Sequence, residues 1–463
     1  MKRSQTRPDE ARLAAYEVLR QVQEDDAYAN LALPHVLRRR RLTGRDAAFA
    51  TELVYGSLRM QGRYDAIAEI AADRPIDQID PPLRILLRLG IHQLEAMRVP
   101  PHAALAATVD VARDRLGGGR AGFVNAVLRK ITGRTDEDWT SLIAEAAGSP
   151  DAQMAVLTSH PEWIVRAYRD ALVAHGRDSG ELEAALQANN ATPNVTLVAR
   201  PGLADPTQLL KVPDTAAGRF SPYAVVLQRG DPAAVPGMAD SRVGVQDEGS
   251  QLAAIALADV PAGLIGAPKQ EQWLDIAAGP GGKAALLGAI AGAAGHRLLA
   301  NEIAPHRAEL VEHAVAAVNS VFPGTVIVRT DDGRNLPDEI AGQFDRVLLD
   351  APCTGLGALR RRPEARWRRT PGDLAQLTVL QRDLLAAALA LVRPGGVVAY
   401  VTCSPHVAET LAVVSDSNAE TLDTQQVLAP YLGERAGVGP HVQLWPHIHG
   451  TDAMFIALLR RSA

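Results

Sequence analysis

The chain has 463 residues, 47% of them hydrophobic, and a net charge of −5. That length suits two or three domains and that composition an ordinary buried core, while two cysteines without a C-x-x-C pair exclude a disulfide framework and a cysteine zinc site. The longest apolar stretches, such as 284–295, are too short and glycine-broken to span a bilayer, and no apolar run follows the charged N-terminal ten residues. The expectation is therefore a soluble cytoplasmic protein with reduced thiols, acting as a monomer without a metal and away from membranes.

Residues 1–145 read as all helix. A-R-L-A-A-Y-E-V-L-R-Q-V, D-A-A-F-A-T-E-L-V-Y-G-S-L-R, P-P-L-R-I-L-L-R-L-G-I-H-Q-L and G-F-V-N-A-V-L-R-K-I all space apolar residues at helical period. Pro81 is placed to start a helix and Gly117–Gly119 to break one. His92 and His102 stand alone, as core or surface residues do. The run R-R-R-R at 38–41 suits either a phosphate contact or a solvated face. Only five of the 48 basic residues are lysine, so arginine is favoured chain-wide.

Residues 146–243 read as a small α+β domain: a helix behind Pro161, a strand in P-N-V-T-L-V-A-R-P, then loop to 241. From 244 to 463 the pattern changes. Strand-like runs at 273–277, 296–302, 325–330, 344–350 and 396–402 alternate with helical ones, which predicts a parallel doubly wound α/β sheet. M-F-I-A-L-L-R near the C-terminus suits a late antiparallel strand.

The first of these strands enters L-D-I-A-A-G-P-G-G-K, residues 274–283. A glycine turn between strand and helix brings backbone N–H groups beside a ligand. The P-loop pattern fails at Ala277 and Ala284, and the dinucleotide pattern fails at Ala284. A methyltransferase-type turn matches at Asp275, Gly279 and Gly281 with one glycine missing; a turn with no ligand is the plain alternative. Strand two ends at Asn301-Glu302 and strand three at Asp331-Asp332-Gly333. Carboxylates there suit a ribose and an adenine amino group, because ligands of open α/β sheets bind at strand C-terminal ends.

Strand four gives Asp350 and Cys353, and strand five gives Cys403. Free cysteine is commonly a small buried hydrophobe. Two on one rim beside an aspartate suit covalent catalysis instead. Thiolate addition at C6 of a pyrimidine makes C5 nucleophilic enough to take a methyl group, and a carboxyl group near N3 stabilises the charge on the ring. The run R-R-R-P-E-A-R-W-R-R at 360–369 is the candidate RNA-backbone contact, with Trp367 either stacking on a base or packing its helix onto the sheet.

These segments resemble the RNA 5-methylcytosine methyltransferases, specifically the bacterial Fmu/RsmB-type enzymes of 16S rRNA. The resemblance is carried by G-V-Q-D-E-G-S-Q-L (244–252), P-G-G-K (280–283), D-A-P-C-T-G-L-G (350–357), R-R-x-P-E-A-R-W (360–367) and T-C-S (402–404). A-F-A-T-E-L-V-Y-G and G-F-V-N-A-V-L-R resemble the NusB-like RNA-binding domain of that branch. The implied fold is a Rossmann-like methyltransferase domain with a seven-stranded, mostly parallel sheet, preceded by the all-α NusB-like domain and the small α+β domain. The implied cofactor is S-adenosylmethionine and the implied partner 16S ribosomal RNA. The resemblance implies Cys403 as nucleophile, Cys353 as the thiol that resolves the adduct, and Asp350 as the contact to cytosine, close to the methyl donor. Cofactor positions fall on Ala277, Ala278, Gly279, Pro280, Gly281, Gly282, Lys283, Glu302, Asp332 and Asp350.

Some positions depart from the family pattern. Gly279 and Ala284 replace an alanine and a threonine of the turn, Glu302 replaces an aspartate, and only Glu409 survives of the P-E-E-N after the T-C motif. No reacting group is lost. The same chemistry on tRNA, or an inactive RNA-binding assembly factor, are the alternatives; intact Asp350, Cys353 and Cys403 oppose the second.

Overall fold

The computed structural model describes residues 9–261, 269–433 and 439–462; the charged residues 1–8 lie outside the described residues. The chain forms two compact units. One comprises Met1–Arg166, Leu182–Ala191 and Leu359–Arg368, the other Ala167–Glu181, Thr192–Ala358 and Arg369–Ala463.

The first unit is helical. Asp9 caps helix Glu10–Glu24 by accepting from the Arg12 N–H, and a Thr135–Asp138 capping box opens helix Asp136–Ala146. Pro81 begins helix Pro81–Glu95, and Gly117, at φ 86°, separates Pro101–Leu116 from Gly118–Ile131. Ala14, Val18, Leu53, Leu86, Ile91 and Leu128 meet in one apolar core. His92 is a core residue, 2.9 Å from the Tyr64 hydroxyl. In the 38–41 run Arg39 and Arg40 pair with Glu17, and Arg40 also with Glu10, on the helix surface.

The arginine-rich segment after the first cysteine motif belongs to this helical unit, which corrects the reading of Trp367 as packing its helix onto the sheet. Arg366 is fully buried and donates to the carbonyls of Arg59, Ser159 and Asn189 and to Asn190 Oδ1, at 2.8–3.3 Å. Arg368 donates to the Val22 and Ala27 carbonyls, and Glu364 accepts the Ala29 N–H. A Cβ on Gly62 would lie 2.5 Å from the Trp367 ring, so the indole packs on a glycine of the helical unit rather than on the sheet. A guanidinium offers five donors in a fixed fork, and carbonyls clustered at helix ends can take them as phosphates would.

The second unit holds two sheets. Strands β1 (Val195–Ala199), β2 (Thr215–Ala217), β3 (Ala224–Leu227) and β4 (Val243–Val245) form an antiparallel sheet in the order β2-β3-β1-β4. The stretch expected as loop to 241 thus contains β2 and β3, which at three and four residues are too short to show an alternating pattern.

The larger sheet contains β5 (Gln272–Asp275), β6 (Arg297–Asn301), β7 (Val326–Arg329), β8 (Phe344–Asp350), β9 (Val392–Thr402), β10 (Glu420–Thr421), β11 (Val442–Gln443) and β12 (Phe455–Arg460). Its order is β10-β12-β9-β8-β5-β6-β7, with β11 pairing β12 off that path. Strands β5 to β9 run parallel to their neighbours, and β12 runs antiparallel to β9. Helices cover both faces, so the central strands are apolar on each side. Leu348, Ala399 and Val401 pack on one face with Leu252, Leu287 and Val311. Val347, Leu349, Val398 and Tyr400 pack on the other with Leu384, Leu385 and Leu391. The last three lie on helix Pro371–Leu391, which among the described residues is the one helix long and apolar enough to cross a membrane; here it is a core helix of the sheet. Strand order reverses between β5 and β8, the point where such sheets bind ligands.

Candidate active site

The glycine turn leaves β5 and enters helix Gly282–Ala293. The Ala278 N–H donates to the Asn301 carbonyl at 2.8 Å, and the Gly281 N–H to the Ala278 carbonyl at 3.0 Å. Gly279 and Gly281 have φ of 58° and 90°, a region that L-residues avoid. A Cβ on Gly281 would also strike Val311 at 2.9 Å. At Gly279 and Gly282 a Cβ would meet nothing within 4 Å, so the open side of the turn adjoins the helix N-terminus with its unsatisfied N–H groups.

The acids at the strand ends tie this turn together. Glu302 is buried and accepts from the N–H groups of Gly279 at 2.9 Å and Ala304 at 3.0 Å. Asp332 caps the short turn Gly333–Asn335 and binds the Arg334 guanidinium, which together hold its carboxyl below the usual range. Asp331 pairs with Arg329 instead. Asn301 donates to the carbonyls of Ile276 and Asp331, joining the ends of β5 and β7. It was not singled out from sequence, although its place beside Glu302 at a strand end was a usable signal.

Asp350 and Val401 are register partners on β8 and β9, so the two cysteine loops leave adjacent strand ends. Cys353 Sγ lies 3.4 Å from Cys403 Sγ, and both thiols are half-buried and free. The Gly357 N–H donates to the Cys403 carbonyl at 2.9 Å, and a Cβ on Gly357 would sit 2.1 Å from the Ala453 carbonyl. Only glycine permits that approach, which ties the first cysteine loop to the second.

Lys283 reaches across to Asp350, Nζ to Oδ2 2.7 Å. Burial pulls the Lys283 ammonium down, but the Asp350 carboxylate, with help from Cys403 and Asp275, more than offsets it and leaves the pKa raised. The hydrogen bond to Cys403, burial and the nearby charges of Cys403, Glu409 and Asp350 push the Cys353 thiol well up. Beneath the turn, Asp275 is fully buried. Burial, then the Asp350 charge, raises it to about 8.

A buried carboxylate, Glu409, braces the first cysteine loop. It accepts the Thr354 N–H at 2.7 Å, the Thr354 hydroxyl, and the Gln381 amide at 3.0 Å. Gln381 also donates to the Pro352 carbonyl, and the Tyr400 hydroxyl donates to the Glu409 carbonyl. Gln381 and Tyr400 lie in apolar runs, where nothing in the sequence marks them apart from core residues. The structure brings Asp350, Cys353, Cys403 and Lys283 to one cluster, and Ala277 through Gly282 to the adjoining turn with Glu302 beside it. Asp332 stands at the next strand end.

Residues 264–460 match the family described as 16S rRNA methyltransferase RsmB/F, and residues 9–133 match the NusB family. The Mycobacterium tuberculosis protein Rv1407 is 50% identical over 98% of this chain and 97% of its own length. The ribosomal RNA small subunit methyltransferase B of Pseudomonas syringae is 31% identical over 98% of this chain and 97% of its own. The crystal structure of PH0851 superposes with a TM-score of 0.76 at 20% identity, covering 98% of this chain and 99% of that one. The methyl donor is S-adenosylmethionine, and the glycine cradle opening beside Glu302 fits it. An all-helical NusB-family domain, a methyltransferase sheet with its cradle, and relatives similar over the full length together mean that the chain belongs to the RsmB/F family of 16S rRNA methyltransferases.

Proposed function

We propose that the protein methylates C5 of a cytosine in 16S rRNA through a covalent bond from Cys403 to C6. The observation that carries this reading is the pair of thiols 3.4 Å apart beside the Lys283–Asp350 ion pair. The helical domain, 1–145, and the small α+β domain, 146–243, hold the RNA, and 244–463 performs the chemistry. Ala277 through Lys283, Glu302, Asp332 and Asp350 hold S-adenosylmethionine, which supplies an electrophilic methyl group to C5.

Cys403 Sγ adds to C6 as thiolate, and Lys283 is the cation of the site whose charge that anion favours. Addition removes the aromaticity that keeps C5 a poor nucleophile. Asp350, anchored by Lys283, contacts the cytosine on its N3 side and stabilises the charge that develops there. After transfer the C5 proton must leave and Cys403 be expelled. Cys353, its sulfur 3.4 Å from that of Cys403, serves this release as the base that takes the C5 proton while the C6–S bond breaks and Cys403 leaves as thiolate.

Replacing Cys353 with Ala while keeping Cys403 tests the assignment. Protein, 16S rRNA and S-adenosylmethionine should then yield a complex that survives denaturation. No such complex, with methyl transfer unchanged, would remove Cys353 from the release step. Bisulfite sequencing of rRNA from a deletion strain tests the target: one 16S cytosine should lose its methyl group, and a loss confined to tRNA would overturn the 16S assignment.

A further inference from the structure

We infer that Cys353 and Cys403 are a modification site, a pair that peroxide oxidises to a reversible intramolecular disulfide. They are the only cysteines of the chain, and their sulfurs already lie 3.4 Å apart. A disulfide needs an S–S distance of about 2.05 Å and Cα atoms roughly 4.4–6.8 Å apart. Neighbouring parallel strands deliver the two loops at that kind of spacing, since Asp350 and Val401 are paired three and two residues before the cysteines. The remaining approach of roughly 1.4 Å is within the reach of side-chain rotation.

The surroundings favour closure over drift. The Gly357 N–H holds the Cys403 carbonyl, the Ala453 N–H holds the Gly357 carbonyl, and Glu409 holds the N–H and the hydroxyl of Thr354, next to Cys353. Neither loop has to be ordered anew for the sulfurs to meet. Both thiols are also half-buried rather than sealed, so a small oxidant reaches them.

The step balances with hydrogen peroxide as oxidant. The Cys403 thiolate attacks one peroxide oxygen, the O–O bond breaks, and hydroxide leaves, giving a sulfenic acid. The Cys353 sulfur then attacks the Cys403 sulfur, and the S–O bond breaks with loss of water. Two thiols lose two electrons and two protons in all, and peroxide becomes two waters. A small dithiol reverses the bond by attacking one sulfur and expelling the other. With a resolving thiol at 3.4 Å, the sulfenic acid is trapped before further oxidation.

The consequence for activity rests on the reading of Cys403 as nucleophile: a sulfur tied up in a disulfide cannot add to C6. The test treats the full chain with hydrogen peroxide, denatures it, alkylates with iodoacetamide and measures intact mass and methyl transfer. The expected product is lighter by two hydrogens, takes up no alkyl group, yields a linked peptide pair containing residues 353 and 403, and loses methyl transfer until dithiothreitol restores it. Two alkylatable thiols after oxidation, or Cys403 found as sulfinic acid in the native chain, would overturn the inference. Cys353→Ser should remove the linked peptides and let Cys403 pass to the sulfinic acid, a readout that needs no activity. A disulfide that leaves methyl transfer intact would support the bond and overturn Cys403 as nucleophile.

Discussion

Residues 350–357 and 359–368 are nearly contiguous, both dense in family motifs, and put to opposite uses. The first keeps an aspartate and a thiol half-exposed on the rim of the large sheet, with Asp350 paired to one lysine. The second belongs to the helical unit and spends its charge inward, with Arg366 on three carbonyls and a side-chain amide. Groups that react must stay accessible, while groups that hold structure can be buried against the backbone they brace. Residue type does not separate the two. Burial does: Arg366 and Glu364 are buried, whereas Asp350 and Cys353 stay partly exposed.

Two substitutions separate these uses. Cys403→Ala should lower methyl transfer by about 10³-fold or more, because the covalent step disappears. Its unfolding midpoint should move by no more than about 1 kcal/mol, as befits a half-buried small side chain. Arg366→Ala should do the reverse in stability, costing about 3 kcal/mol or more, since it strands buried acceptors at Arg59, Ser159, Asn189 and Asn190. Arg366→Lys should recover little of this, since an ammonium cannot reproduce the fork. Urea unfolding and single-turnover methyl transfer on the same preparations read both. An Arg366→Ala protein of wild-type stability would refute the structural role of the segment.

On the catalytic side Asp275 is as fully buried as Arg366. Its pKa rises to about 8 in the fold, against an ordinary 3.8. Between those values the folded state keeps a proton that the unfolded state has released. Folding stability therefore falls as pH rises through that window, by up to about 1.4 kcal/mol per pH unit, and levels off above it. Asp275→Asn should remove this slope, so that the variant gains on the wild type from acid to mildly alkaline pH. Thermal unfolding measured across the window checks it, and parallel curves for the two proteins would show that Asp275 is ionised in the fold.

How much of this was legible in the sequence follows from the same distinction. Strands β8 and β9 announce themselves, because a parallel strand covered on both faces is a continuous apolar run. The cysteines, the glycine turn and the acids were readable because they stand at the ends of such runs. Glu409 was visible as a retained motif residue, but its three donors come from Thr354 and Gln381, distant in sequence and brought near only by the fold. Strands β2 and β3 were too short to carry a period. The arginine run misled because composition records charge and not where charge ends up: six arginines against one glutamate read as a surface, yet Arg366 is fully buried.

The outer edge of that run contributes least to stability. Arg362 is exposed and lies over the Tyr28 ring at 5.8 Å, while Arg368, at 5.1 Å from the same ring, also donates to two carbonyls. An exposed cation over an aromatic face contributes about 0.5–1 kcal/mol. Arg362→Ala should therefore shift unfolding by no more than that, several times less than Arg366→Ala four residues on. Measured alongside it, the salt dependence of RNA binding separates two uses of the exposed edge. An unchanged slope leaves the run a packing element throughout, whereas a slope lower by about one unit assigns Arg362 a phosphate contact that its buried neighbours do not make. A loss of stability at Arg362 equal to that at Arg366 would mean that burial does not divide the run, and the contrast between its inner and outer arginines would fail.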